Sequence, residues 1–132
     1  MSCVLRAAGV SFDVDAFCVN SELPVIAKHH AGDQRRPGAP PSTRSSINVR
    51  VSDAAFDNLA QQVEEAVVFL EQYANEVRRL VAFQGVEGVE LDFGMRRRDV
   101  AAQTDSFPAR LVSLAGGLGV GITVSQYEIE PA

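Results

Sequence analysis

The sequence predicts an α+β domain: a mixed, mainly antiparallel sheet with helices packed on one face. It is built on a ferredoxin-like β-α-β-β-α-β core plus an added helix and strand. Three observations predict it. Residues 46–52 and 88–94 alternate apolar and polar side chains, the period of a half-buried strand. Residues 53–83 repeat apolar residues at steps of three and four, the period of an amphipathic helix. Gly and Pro punctuate the rest into an order β-α-β-β-α(α)-β-α-β, whose first six elements are the split βαβ pattern.

Each element carries its own signal. "CVLRAA" (3–8) is a short buried strand broken by Gly9. "SFDVDAFCVNSEL" (11–23) is a short helix capped by Ser11 or Asp13, with Phe12, Ala16 and Phe17 as its apolar stripe. "PVIAKH" (24–29) is a second strand, with Pro24 at its tolerated first position. In "SINVRVS" (46–52), Ile47, Val49 and Val51 face one way and Asn48 and Arg50 the other. The helical repeat of Phe56, Leu59, Val63, Val67, Leu70, Ala74, Val77 and Val81 starts at Ser52 or Asp53 and stops at Gly85. A straight helix of that length would run about 45 Å, too long for the domain, so a break is expected near Tyr73–Asn75. Glu64, Glu65, Glu71, Gln72, Glu76 and Arg79 form its polar side.

"GVELDFG" (88–94) directs Val89, Leu91 and Phe93 to one face and Glu90 and Asp92 to the other. Residues 95–105 read as a connection with a strand fragment. "SFPARLVSLAGGLG" (106–119) is a helix capped by Ser106, with Leu111, Leu114, Ala115 and Leu118 inward, and "VGITVSQYEI" (120–129) is the last strand.

Between the second and third strands lies "HHAGDQRRPGAPPSTR" (29–44). Its glycines and prolines forbid regular structure, and it exceeds the usual hairpin connection. The expectation is a single domain over 1–132 with a long irregular, mobile loop at 30–45.

Composition narrows the function. The chain has 132 residues, 46% hydrophobic and 22% charged, with net charge −5. That size supports one core without metal or disulfide staples, and the acidic balance argues against nucleic acid. No cationic leader and no apolar run of membrane length is present, so no membrane partner and a cytoplasmic location are expected. A single lysine against eleven arginines suggests a GC-rich bacterial source. Cys3 reads as a small buried hydrophobe and Cys18 as helical. Neither has ligand spacing for zinc, and no cofactor is expected.

Charge is uneven. Lys28, Arg35, Arg36, Arg44 and Arg50 stand against Asp33 alone in 28–50, whereas 53–92 is strongly acidic. This asymmetry either steers a partner or sets a basic loop beside an acidic helix face. His29 and His30 are adjacent, and strand neighbours point to opposite faces, which disfavours chelation of one ion. Glu90 and Asp92 share a strand face about 7 Å apart. They suit an acid–base pair or, more plainly, a solvated sheet face. "GGLGVG" (116–121) closes a helix instead of opening one, the reverse of a phosphate loop. Arg96, Arg97 and Arg98 suit phosphate or carboxylate groups, or a solvated turn. No nucleophile elbow is present, and no catalytic residue is assigned.

"VDAF" (14–17), "AKHHAGD" (27–33), "VELDFG" (89–94) and "SFPARLVSLAGGLGVGITVSQY" (106–127) together carry a resemblance. The chain resembles a family of small bacterial domains of unknown function, some members of which sit in toxin–immunity gene clusters and are treated as candidate immunity proteins. Lys28, Gly32, Asp33, Ser125 and Tyr127 stand at the family's matching positions. The tryptophan often found near the second strand is missing here. The resemblance implies no catalytic residue.

Two functions are compatible with these features. The first is a non-catalytic, immunity-like protein-binding module, with Lys28, His29, His30, Asp33, Arg35, Arg36, Glu90 and Asp92 as candidate partner-binding residues. The second is a small-molecule-binding domain or small enzyme with a pocket between sheet and helices, lined by 29–44 and Arg96–Arg98. An open sheet face covered by a second copy would make a homodimer.

Overall fold

The middle of the molecule is the strand β1 (Cys3–Gly9), which pairs antiparallel on both sides. A computed structural model describes residues 1–128; the last residue of the expected final strand, Ile129, lies outside the described residues. After β1 come α1 (Val14–Val19), β2 (Val25–His29), β3 (Ser45–Ser52), α2 (Leu59–Gln72), α3 (Ala74–Ala82), β4 (Gly88–Arg96), α4 (Ala109–Gly117) and β5 (Gly121–Tyr127). The sheet order is β2-β3-β1-β4-β5. The first four strands pair antiparallel in the split βαβ order, and β5 adds parallel to β4. A parallel neighbour needs a crossover, and α4 supplies it. This is the α+β architecture the periodicities predict.

Alternation sorts the two faces of the sheet. Cys3, Leu5, Ala7, Ile47, Val49, Val89, Leu91, Phe93 and Met95 point to one side and are buried. The helices bring Val14, Phe17, Val63, Leu70, Val77, Leu80, Leu111 and Ala115 to the same cluster. Among the described residues, no helix lies on the opposite face of the sheet.

Several element bounds differ from the sequence reading. The first helix begins at Val14 because the Asp13 carboxylate accepts the Ala16 N–H at 3.1 Å; Phe12 is buried from the extended segment before it, and Ala16 is exposed. The long helix begins at Leu59, not near Asp53, with Asn58 as its cap. The expected break is present: Tyr73 (φ −105°, ψ 20°) ends α2 and begins α3. Phe56 therefore lies before the helix, and its ring packs edge-on against Tyr127, 5.4 Å between centroids. β4 runs on through Met95 and Arg96. α4 starts at Ala109 without a side-chain cap from Ser106. Gly119 (φ 82°) makes the turn into β5, so the glycines of 116–121 serve as helix stop and turn.

Arg79 also departs from expectation. It is not on a solvated side but stacks over the Phe17 ring at 4.1 Å and donates to the Phe17 carbonyl at 3.0 Å. That contact ties α3 to α1 over a cluster of edge-on rings, Phe12, Phe17 and Phe83.

Candidate functional site

The helix-free face is a polar surface built on β1. Arg6 is the one charged residue of that strand, and alternation turns it away from the core. Its guanidinium donates to Glu90 at 3.3 Å, to Asp92 at 3.1 Å and, through Nε, to Asn48 at 3.2 Å. From β5, Ser125 donates to Asp92 at 2.7 Å and Thr123 donates to Glu90. Cross-strand register makes this network. Asn48, Arg6 and Glu90 are direct neighbours in one row, and Arg50, Val4, Asp92 and Thr123 in the next.

Glu90 and Asp92 do share a face, as the alternation predicts, but only the Glu90 side chain, 38% exposed, stays open to solvent. The Asp92 side chain retains only 10% of its exposure, because Arg6 and Ser125 lie over it. A carboxylate is tolerated there since each oxygen meets a donor. Sequence reasoning does not group Arg6, Asn48, Thr123 and Ser125 with these acids. The signal is present, since "CVLRAA" places Arg6 on the outward phase of an otherwise apolar strand.

The other candidates lie at the β2 edge and in the following loop. Lys28 and His30 face α1. Lys28 Nζ meets Asp15 Oδ1 at 3.0 Å, and His30 Nε2 meets Asp15 Oδ2 at 2.8 Å. These two contacts hold the Asp15 carboxyl below the usual carboxylate range, and Asp15 in turn raises the Lys28 ammonium. His29 pairs with Ser46 and so joins the open face. Asp33 accepts the His30 N–H at 3.1 Å.

The loop at 30–45 has a backbone frame of its own. The Gly32 N–H donates to Ser42 and the Ser42 N–H to Asp33, at 2.7 and 2.8 Å. Ala39 donates to the Arg36 carbonyl at 3.1 Å, and the Gln34 amide donates to Ala39 at 3.0 Å. Ala31 donates to the Ser45 hydroxyl at 2.9 Å, closing its base. Arg44 pairs with Glu87, whose carboxylate also accepts the Val10 N–H at 3.0 Å; together these contacts lower the Glu87 pKa. Arg35 and Arg36 are exposed at the far end.

The structure thus separates the candidates into two surfaces. β2 and β4 stand three strand steps apart, about 14 Å, so Glu90 and Asp92 do not join Arg35 and Arg36 in one site. The expected pocket lined by 29–44 and Arg96–Arg98 is not what lies between sheet and helices. The groove there, about 460 Å³, is lined instead by Val51, Gln61, Glu64, Glu65, Val68 and Phe69. A second groove of about 350 Å³ lies on the open face between Arg6, Arg44, Glu87 and Glu90. Arg98 is engaged in its own loop with Asp105 at 3.2 Å.

Cys3 is fully buried, and burial, reinforced by the Asp92 charge, pushes its thiol far above the ordinary range. It is held as the neutral thiol, a poor nucleophile. Among the described residues, no group of three or more His, Cys, Asp or Glu is placed to hold a metal ion. No helix among them is long and apolar enough to cross a membrane. No protein-family model, curated protein or solved structure matches the chain.

Proposed function

We propose that the chain is a non-catalytic, immunity-like binding module that occludes a protein partner through the loop at 30–45, and that the partner presents an acidic surface. The observation that carries this reading is the pairing of the basic residues. Lys28 is matched by Asp15, Arg44 by Glu87 and Arg50 by Asp53. Arg35 and Arg36 have no acidic partner among the described residues. They stand on a loop framed by its own hydrogen bonds, so two guanidinium groups are displayed with part of the ordering cost already met. Arg suits this role because its planar fork meets carboxylates bidentately. The free thiols of Cys3 and Cys18 suit a reducing compartment, and the same reading places the protein in the cytoplasm.

The test is purification of the tagged chain from its native host beside the Arg35→Glu/Arg36→Glu variant, with co-eluting proteins identified by mass spectrometry. A stoichiometric second polypeptide on the wild type, lost from the variant, is the expected result. No such polypeptide, together with a thermal shift from a small anion or metabolite, would replace this reading with a ligand-binding one. We also propose that the chain associates with itself, supported by the sheet face that no helix covers.

A further inference from the structure

The open face gives self-association a geometry, and the dimer inferred from that geometry rests on the self-association reading. β1 is the middle strand of the five. A two-fold axis lying in the plane of the face and running along β1 turns the sheet onto a copy of itself, β3 over β4 and β2 over β5. This is an isologous contact, so the face must be complementary to itself.

The charges meet that condition. Arg50 stands on β3, and Glu90 and Asp92 stand on β4, on either side of Val4 and Arg6. Over the rows of β1 the face carries Arg6 and Arg50 with Glu90 and Asp92, Arg44 pairs with Glu87 at its border and Arg96 lies beyond on β4, so the β3 half is basic and the β4 half mainly acidic. Turning it about β1 sets the basic half of one copy against the acidic half of the other. The Arg50 side chain is 54% exposed, and within its own chain it has only a 3.7 Å contact with Asp53. The Glu90 side chain is 38% exposed and already accepts from Arg6 and Thr123. Arg6, at the axis, is already neutralised by Glu90 and Asp92.

The relief suits close approach. Val4 and Ala8 on β1, Ser46 and Gly88 on the strands beside it and Ala27 on β2 are small and low, while at one end of the face the Phe56 and Tyr127 rings stand over Gly94. Five strands about 4.8 Å apart and seven residues of about 3.3 Å give roughly 550 Å² per copy. The total of about 1,100 Å² clears the area of most packing contacts and sits at the low end for specific interfaces. Aligned sheets pack face to face in this way at about −30°.

We infer that the helix-free sheet face binds a second copy of the chain across a two-fold axis along β1, with Arg50 of each copy facing Asp92 of the partner subunit. Light scattering over a concentration series tests it. The wild type is expected to give a dimer that dilutes to monomer. Arg50→Glu sets two acids against each other and weakens association about a hundredfold, with an unchanged circular dichroism spectrum. Ala8→Arg is the second variant. Ala8 borders the open groove, so the larger side chain has room in a single chain but obstructs the axis. Arg35→Glu/Arg36→Glu leaves the mass of the isolated chain unchanged. A wild type that dimerises while Arg50→Glu and Ala8→Arg dimerise equally well would overturn this face and leave self-association standing. A wild type that stays monomeric throughout would overturn both, without touching the binding role of the loop.

Discussion

Asp92 shows how a single residue acquires its environment from register. Sequence alternation puts it outward, and its strand neighbours then bury it under Arg6 and Ser125. Asp92→Leu leaves the guanidinium without its closest acid and Ser125 without its acceptor; loss of about 2 kcal/mol is expected in chemical denaturation. Gln62 is a second such residue. It is fully buried, and its amide donates to the carbonyls of Ala55 and Gly94 at 3.3 and 2.9 Å, pinning the 53–58 segment against β4. Gln62→Ala orphans both carbonyls and opens a cavity, with an expected cost of about 3 kcal/mol. Asp15 gives a pH signature. Its pKa is lowered on folding, so its contribution is fully present above the unfolded carboxylate value and fades as pH falls through the lower folded one. The melting temperatures of wild type and Asp15→Asn should therefore differ at neutral pH and converge in acid. A constant gap down to the lowest pH would refute the Lys28 and His30 contacts as its source.

At the scale of elements, two close approaches fix how the pieces meet. The Gly9 Cα lies so near the turn after α3 that a Cβ there would sit 1.8 Å from the Gly85 carbonyl oxygen. Backbone against backbone cannot yield, and Gly9→Ala is expected to cost about 3 kcal/mol, measurable as a lowered denaturation midpoint. Arg79 joins α3 to α1 through the Phe17 ring and carbonyl. Arg79→Ala should lose about 2 kcal/mol and Arg79→Lys nearly as much, because an ammonium cannot stack and donate in the same plane. Both features also mark what the sequence withheld. The strands at 46–52 and 88–94, the break at Tyr73 and the burial of Cys3 were legible because each follows from local periodicity or length. The late start of α2 was not, because Ser52 and Asp53 look like good caps while Asn58 is the residue that meets an open N–H. Arg79 looked solvated because its partner Phe17 is far away in sequence.

At the scale of the whole molecule, helices on one side leave the sheet with one buried and one working face, and the loop at 30–45 extends from its β2 side. The candidate residues were legible as types but not as groups. Glu90 and Asp92 were visible as a pair, yet Arg6 joins them only through β1–β4 pairing. Lys28, Arg35, Arg36, Arg44 and Arg50 read as one basic stretch, until tertiary pairing with Asp15, Glu87 and Asp53 matches three of them and leaves Arg35 and Arg36. The binding role of those arginines is tested by titrating the partner recovered with the wild type against wild type and Arg35→Glu/Arg36→Glu, at low and high salt. Tight one-to-one binding by the wild type that weakens with salt is expected, with a large loss in the variant that salt no longer changes. Equal affinities for the two proteins, unmoved by salt, would contradict it.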